Sequence, residues 1–122
     1  MRLKRNRLHQ YHHRQAISKR DGEGGSYTEY GSALPFMAEM WPGGGKVQAE
    51  MYGTRLPNIR NLRIQGKYKE IADSNGKLSY TLDNGITITV NDGICIYSEN
   101  EPDYKVVAIY PYSFLTLEVE KL

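Results

Sequence analysis

From residue 33 onward, apolar residues recur at every second position in short runs, and the runs are separated by Gly, Asn and Asp. A strand turns successive side chains to opposite faces, so each run buries one face and leaves the other free. Leu34, Phe36, Ala38 and Met40 share one face, and Val47, Ala49 and Met51 oppose Lys46, Gln48, Glu50 and Tyr52. Beyond a turn at Pro57 and Asn58, Leu62 and Ile64 point inward and Arg63 outward. Residues 106–110 are apolar on both faces, as a covered central strand requires. Near the C-terminus Leu115, Leu117 and Val119 are expected to be buried, with Thr116, Glu118 and Glu120 turned to solvent or a partner. Counting residues 16–19 as a first strand, roughly seven or eight strands predict an all-β fold, a small β-barrel or compact sandwich with long loops.

The turn at Asp83-Asn84-Gly85 fixes its own register. A two-residue Asn-Gly loop pairs Asp83 with Ile86 and Thr81 with Ile88, mixing polar and apolar residues on one face. A three-residue loop pairs Leu82 with Ile86, Tyr80 with Ile88 and Leu78 with Val90, leaving one consistent apolar face. A slip of one residue turns every side chain over, so burial selects the longer loop. A type I turn followed by Gly85 in the left-handed region is predicted. Asn91-Asp92-Gly93 makes a further turn, and Ile94 and Ile96 begin the strand after it.

A chain of 122 residues supports one domain and buries about two-thirds of its unfolded surface. The single cysteine, Cys95, excludes an internal disulfide and suits a reducing compartment. No apolar run approaches the ~18 residues of a spanning helix, and the basic N-terminus lacks the apolar core of a signal peptide. The expectation is therefore a protein made in a cytoplasm with no membrane partner. The net charge of +2 hides a division. Residues 1–20 carry Arg2, Lys4, Arg5, Arg7, Arg14, Lys19 and Arg20 without an acid, whereas the rest holds nine basic against fourteen acidic residues. Residues 1–20 read as a basic arm running into the first strand and 21–122 as the barrel domain. Arg2, Lys4, Arg5, Arg7 and Arg14 are its candidate contacts to DNA or a partner.

No residues assemble into a catalytic set in the sequence. Cys95 lies mid-strand, and His9, His12 and His13 all fall in the basic segment, without a second group of ligands at metal-site spacing. Neither a metal nor a cofactor is expected. The triple glycine at 43–45 lacks the Gly-Lys-Ser/Thr ending of a phosphate loop, and it is read as opening a strand rather than a helix. Glu99, Glu101 and Asp103 read as a solvated acidic loop. Ten tyrosines exceed what so small a core can satisfy, and aromatics with a polar tip serve interfaces. Tyr30, Trp41 and Tyr52 are the candidate interface aromatics. Exposed tyrosines beside the basic run Arg55, Arg60, Arg63, Lys67 and Lys69 also suit a nucleic-acid-binding barrel acting alone.

The order of features resembles the head-tail joining (head-closure) proteins of long-tailed bacteriophages over most of the chain. It runs from a basic, histidine-rich segment, RLHQYHHRQAISKRD, through a Gly-rich loop and the pair Tyr30-Gly31 to a strand ending at Trp41. KVQAEMYG, NLRIQG and a closing DYKVVAIYPYSFLTLEVEKL follow, with residues 67–92 reading as an inserted hairpin. The resemblance implies a small β-barrel that assembles as a ring between a portal or adaptor protein and a tail-terminator protein. Such a ring closes the head on its packaged double-stranded DNA and docks the tail. It places the protein in the virion neck after assembly and in the host cytoplasm before it. Gly22, Gly24, Gly25, Gly43, Gly44 and Gly45 are then candidate hinges of loops that order on assembly. A tail-completion protein would share the same features.

Overall fold

The computed structural model describes residues 5–122. Six antiparallel strands close a barrel: β1 (Leu8–Arg14), β4 (Leu34–Pro42), β5 (Ile59–Ile64), β11 (Leu115–Lys121), β10 (Tyr104–Pro111) and β9 (Gly93–Cys95), in that order around the wall. A two-stranded hairpin, β2 (Ala16–Arg20) and β3 (Ser26–Tyr30), stands outside it. A three-stranded sheet is formed by β6 (Tyr68–Ala72), β7 (Leu78–Leu82) and β8 (Thr87–Ile88). The all-β barrel expected from alternation is the fold.

The alternating runs fill the interior as their period dictates. Phe36 and Ala38 of β4, Leu62 and Ile64 of β5, and Leu115, Leu117 and Val119 of β11 are all buried in one core. Tyr80, Leu82, Ile86 and Ile88 join that core, so the three-stranded sheet packs on the barrel through β7 and β8 while β6 is largely exposed. The predicted loop register holds: Tyr80 pairs with Ile88, the Leu82 amide donates to Ile86 at 2.8 Å, and Gly85 takes φ +91°. The expected Leu78–Val90 pair does not form, because β8 ends at Ile88 and both residues are exposed. Residues 106–110 are less covered than their composition suggests. Of β10, only Tyr104 and Lys105 pair with β9, and β10 is interrupted by a bulge between Val106 and Ala108.

Three further expectations are corrected. The KVQAEMYG segment is not a half-buried strand but helix α1 (Gly45–Tyr52), followed by a 3-10 turn (Gly53–Asn58). Lys, Gln, Ala, Glu and Met favour helix intrinsically, and here that preference outweighs a short apolar alternation. Val47 and Met51, read as inward, are 71% and 53% exposed. The triple glycine thus opens a helix, so the phosphate-loop reading fails only on its missing Gly-Lys-Ser/Thr ending. The first strand starts at Leu8, before residues 16–19, so much of the segment read as an arm is barrel wall.

Candidate functional site

Two buried polar assemblies flank the barrel wall. In the first, His13 of β1 and Asp92 of the turn before β9 are 2% and 1% exposed, and His13 Nε2 meets Asp92 Oδ2 at 2.7 Å. Asp92 also accepts from the Ala16 amide at 3.0 Å, the Thr89 amide at 2.9 Å and the Thr89 hydroxyl at 3.1 Å. Burial alone pushes its carboxyl up, but the hydrogen bonds from His13, Ala16 and Thr89 more than offset this and hold it below its usual range. With His13 Nε2 committed to Asp92, its Nδ1 is buried without a hydrogen-bond partner. The pair fastens the start of β2 and the β8–β9 turn to the first strand.

The second assembly lies where α1 covers the outer face of β5 and β11. Glu118 alternates away from the barrel core, as its position predicts, yet it is 2% exposed because the helix covers that face. The expectation of a solvent-facing Glu118 is therefore overturned. Its carboxylate accepts from Tyr110 Oη at 2.5 Å and from Gln48 Nε2, which also donates to Asn61 Oδ1 at 2.7 Å. Gln48 Oε1 in turn accepts from the Gly44 amide at 2.9 Å, fixing the start of the helix. The hydrogen bond to Glu118, with burial, pushes the Tyr110 phenol well up, and burial beside Glu118 pushes Tyr52 up to about 12. At the rim Arg55 binds Glu120 through Nε and Nη2, both at 2.6 Å, and this partner holds the Glu120 carboxyl down. The helix propensity of Lys46 to Met51 was the available signal for this cluster.

The candidate contacts divide. Arg2 and Lys4 lie outside the described residues, and Arg5 begins a 3-10 turn (Arg5–Arg7). Arg7 remains accessible beside Glu39 at 3.5 Å. Arg14 is spent inside the fold, donating to the Gly31, Asn100 and Tyr30 carbonyls at 2.6, 2.6 and 3.1 Å. Gly22, Gly24 and Gly25 form the β2–β3 turn, where Asp21 Oδ1 accepts from the Gly25 amide at 2.8 Å. Gly43 is a close approach: a Cβ there would stand 2.9 Å from Ile59 Cβ. Gly44 and Gly45 begin α1. Among the aromatics Tyr52 is buried, Trp41 is half-buried with the Arg63 guanidinium 5.0 Å over its ring, and Tyr30 is half-buried beside Gly93.

The remaining chemistry-bearing groups are held in structural contacts. His12 pairs across the wall with Cys95, an encounter the sequence spacing did not reveal. Cys95 is itself buried, and burial together with Asp103 pushes its thiol up, which disfavours the thiolate a nucleophile needs. Asp103, read as part of a solvated acidic loop, accepts from the Ile96 and Tyr97 amides at 2.7 and 2.9 Å. Among the described residues no three His, Cys, Asp or Glu side chains converge on a metal-sized site. A groove of about 710 Å³ opens between Arg7, His9 and Tyr11 of the first strand region and Trp41 and Tyr97.

These features define a closed six-stranded β-barrel with a β-hairpin and a β-sheet appended to it. No protein-family model, curated protein or solved structure matches the chain.

Proposed function

We propose that the protein is a structural subunit of a long-tailed phage or prophage virion, forming a ring at the head-tail junction that closes the filled head and docks the tail. The observation that carries this reading is the pair of β elements outside the barrel. The β2–β3 hairpin and the outer strand β6 have no further strand partner among the described residues, and they expose Ile17, Tyr27 and Ile71. An isolated monomer leaves such edges and apolar side chains uncovered, whereas an assembly pairs or covers them. The accessible surface is 7,961 Å², against about 6,700 Å² for a compact monomer of this mass. Ring subunits of this kind touch portal or adaptor protein on one side, tail-terminator protein on the other, and packaged DNA through basic residues such as Arg7. Sedimentation and electron microscopy test it: the isolated protein is expected to be monomeric or weakly associated and to enter rings when portal complexes are added. Failure to join any portal complex overturns the assignment.

The groove lined by Arg7, His9, Trp41 and Tyr97 favours one other reading, a barrel that binds single-stranded nucleic acid by itself. Stacking on aromatic rings survives moderate salt, whereas contacts confined to phosphates fade steeply as salt rises. Submicromolar single-strand affinity at physiological salt, retained after deletion of residues 1–7 and lost in Trp41→Ala, selects this second reading.

A further inference from the structure

Helix α1 carries a feature its own fold does not use. Val47 and Met51 are one turn apart, so they form a single apolar stripe, and both stand out in solvent while Gln48 and Tyr52, a step round the helix, hold the face turned to the barrel. Lys46 and Glu50 run beside the stripe, also one turn apart and exposed. Elsewhere, Pro35, Phe36, Met37, Ile64 and Leu82 line an apolar cavity of about 340 Å³. The exposed carboxylate of Asp83 lies at the mouth of that cavity, where it accepts from the Lys67 backbone amide at 3.3 Å.

The two features lie toward opposite ends of β4. The cavity includes its residues 35–37, and α1 follows its last residue, Pro42. Six residue steps along the strand from Phe36 to Pro42 separate them by about 20 Å, so the stripe cannot reach the cavity of its own chain. We propose that the Val47–Met51 stripe of one copy seats in the Pro35–Met37 cavity of the next, with Lys46 facing Asp83. The occupant is a second copy of this chain, because the stripe supplies the apolar surface the cavity accepts and Lys46 beside the stripe is opposite in charge to Asp83 at the cavity. Different patches meet, so the contact is heterologous and propagates head to tail, closing into a ring where the rotation allows. Two side chains and their flanking charges bury far less than the ~1,200 Å² of a stable complex, so the contact is weak until an assembly holds the copies together. This inference rests on the ring reading and assigns one of its interfaces.

Methyl NMR of methionine-labelled protein, followed from dilute solution to the solubility limit, tests it. Met37 and Met51 are expected to shift together with concentration while Met40 stays fixed. Val47→Glu, at an exposed position, is expected to abolish both shifts without altering the fold. Lys46→Asp should weaken association about two- to five-fold, and adding Asp83→Lys should restore it. Mixing Val47→Cys with Met37→Cys chains under mild oxidation should give a mixed disulfide dimer that neither gives alone. Shifts confined to other surfaces overturn this interface and leave the ring reading standing. No shifts at all also overturn it, and recruitment to portal complexes then judges the ring separately.

Discussion

Replacing Asp92 with alanine removes the acceptor of four hydrogen bonds at once and leaves His13 buried with neither ring nitrogen engaged. Each hydrogen bond to a charged group contributes about 1.5–3 kcal/mol, but the four share one carboxylate and do not add. The closer guide is the loss of one member of a buried pair, about 3–5 kcal/mol. Against a typical total of about 5–15 kcal/mol, that leaves the barrel marginal. Urea unfolding of wild type, Asp92→Ala, His13→Ala and the double variant measures it. The cycle should show the two single losses falling well short of additive, because either one already breaks the pair. The sign with pH is also fixed. Asp92 has its folded value depressed below its ordinary 3.8, so its contribution is fully present above that value and lost as pH falls through the folded one. The gap between wild type and Asp92→Ala should therefore close only below about pH 4. A loss under 1 kcal/mol at neutral pH, or strictly additive single losses, refutes the role given to the pair.

Other perturbations follow from the same geometry. Leu117→Ala, in the centre of the core, should cost about 2–5 kcal/mol in urea unfolding. Glu118→Ala should cost about 2–3 kcal/mol because Tyr110 and Gln48 lose their acceptor, and a near-neutral result means α1 does not cover that face. Gly43→Ala should destabilise by about 1–3 kcal/mol through its contact with Ile59, whereas Gly44→Ala, open around its Cβ and extended, should stay within about 1 kcal/mol. Tyr52 holds its proton up to about pH 12 against an ordinary 10.0, so its stabilisation is intact below 10.0 and lost as pH rises through the higher value. Absorbance titration showing Tyr52→Phe to be without effect on a late-ionising tyrosine contradicts its burial.

Period-2 patterning was enough to place the barrel interior, because Leu62, Ile64, Leu115, Leu117 and Val119 have no other way to escape water. The Gly85 turn was legible for the same reason: only one register keeps Leu82, Tyr80 and Ile88 on a single face. Alternation says which face a residue takes but not what lies beyond that face. Glu118 points away from the core as expected and is still buried, because a helix occupies the space outside. That helix was hidden by Val47, Ala49 and Met51, whose spacing mimics a strand over a stretch too short for period to decide. The His13–Asp92 pair was illegible for another reason. It joins positions 79 apart in the chain, and no local pattern encodes a contact of that separation.

That separation also governs how the chain is made. β1 leaves the ribosome well ahead of its wall partner β9 and the strand β11 that fills the core, which come some eighty to a hundred residues later. Until Leu115–Lys121 has emerged, the barrel has no complete core, and Tyr11, Phe36 and Leu62 remain unprotected together with the strand edges around them. Barrels dominated by such distant pairings fold on the order of milliseconds to seconds, leaving nascent chains open to one another during synthesis. Slower translation before β11 emerges lengthens that exposure and should therefore lower the yield of folded protein.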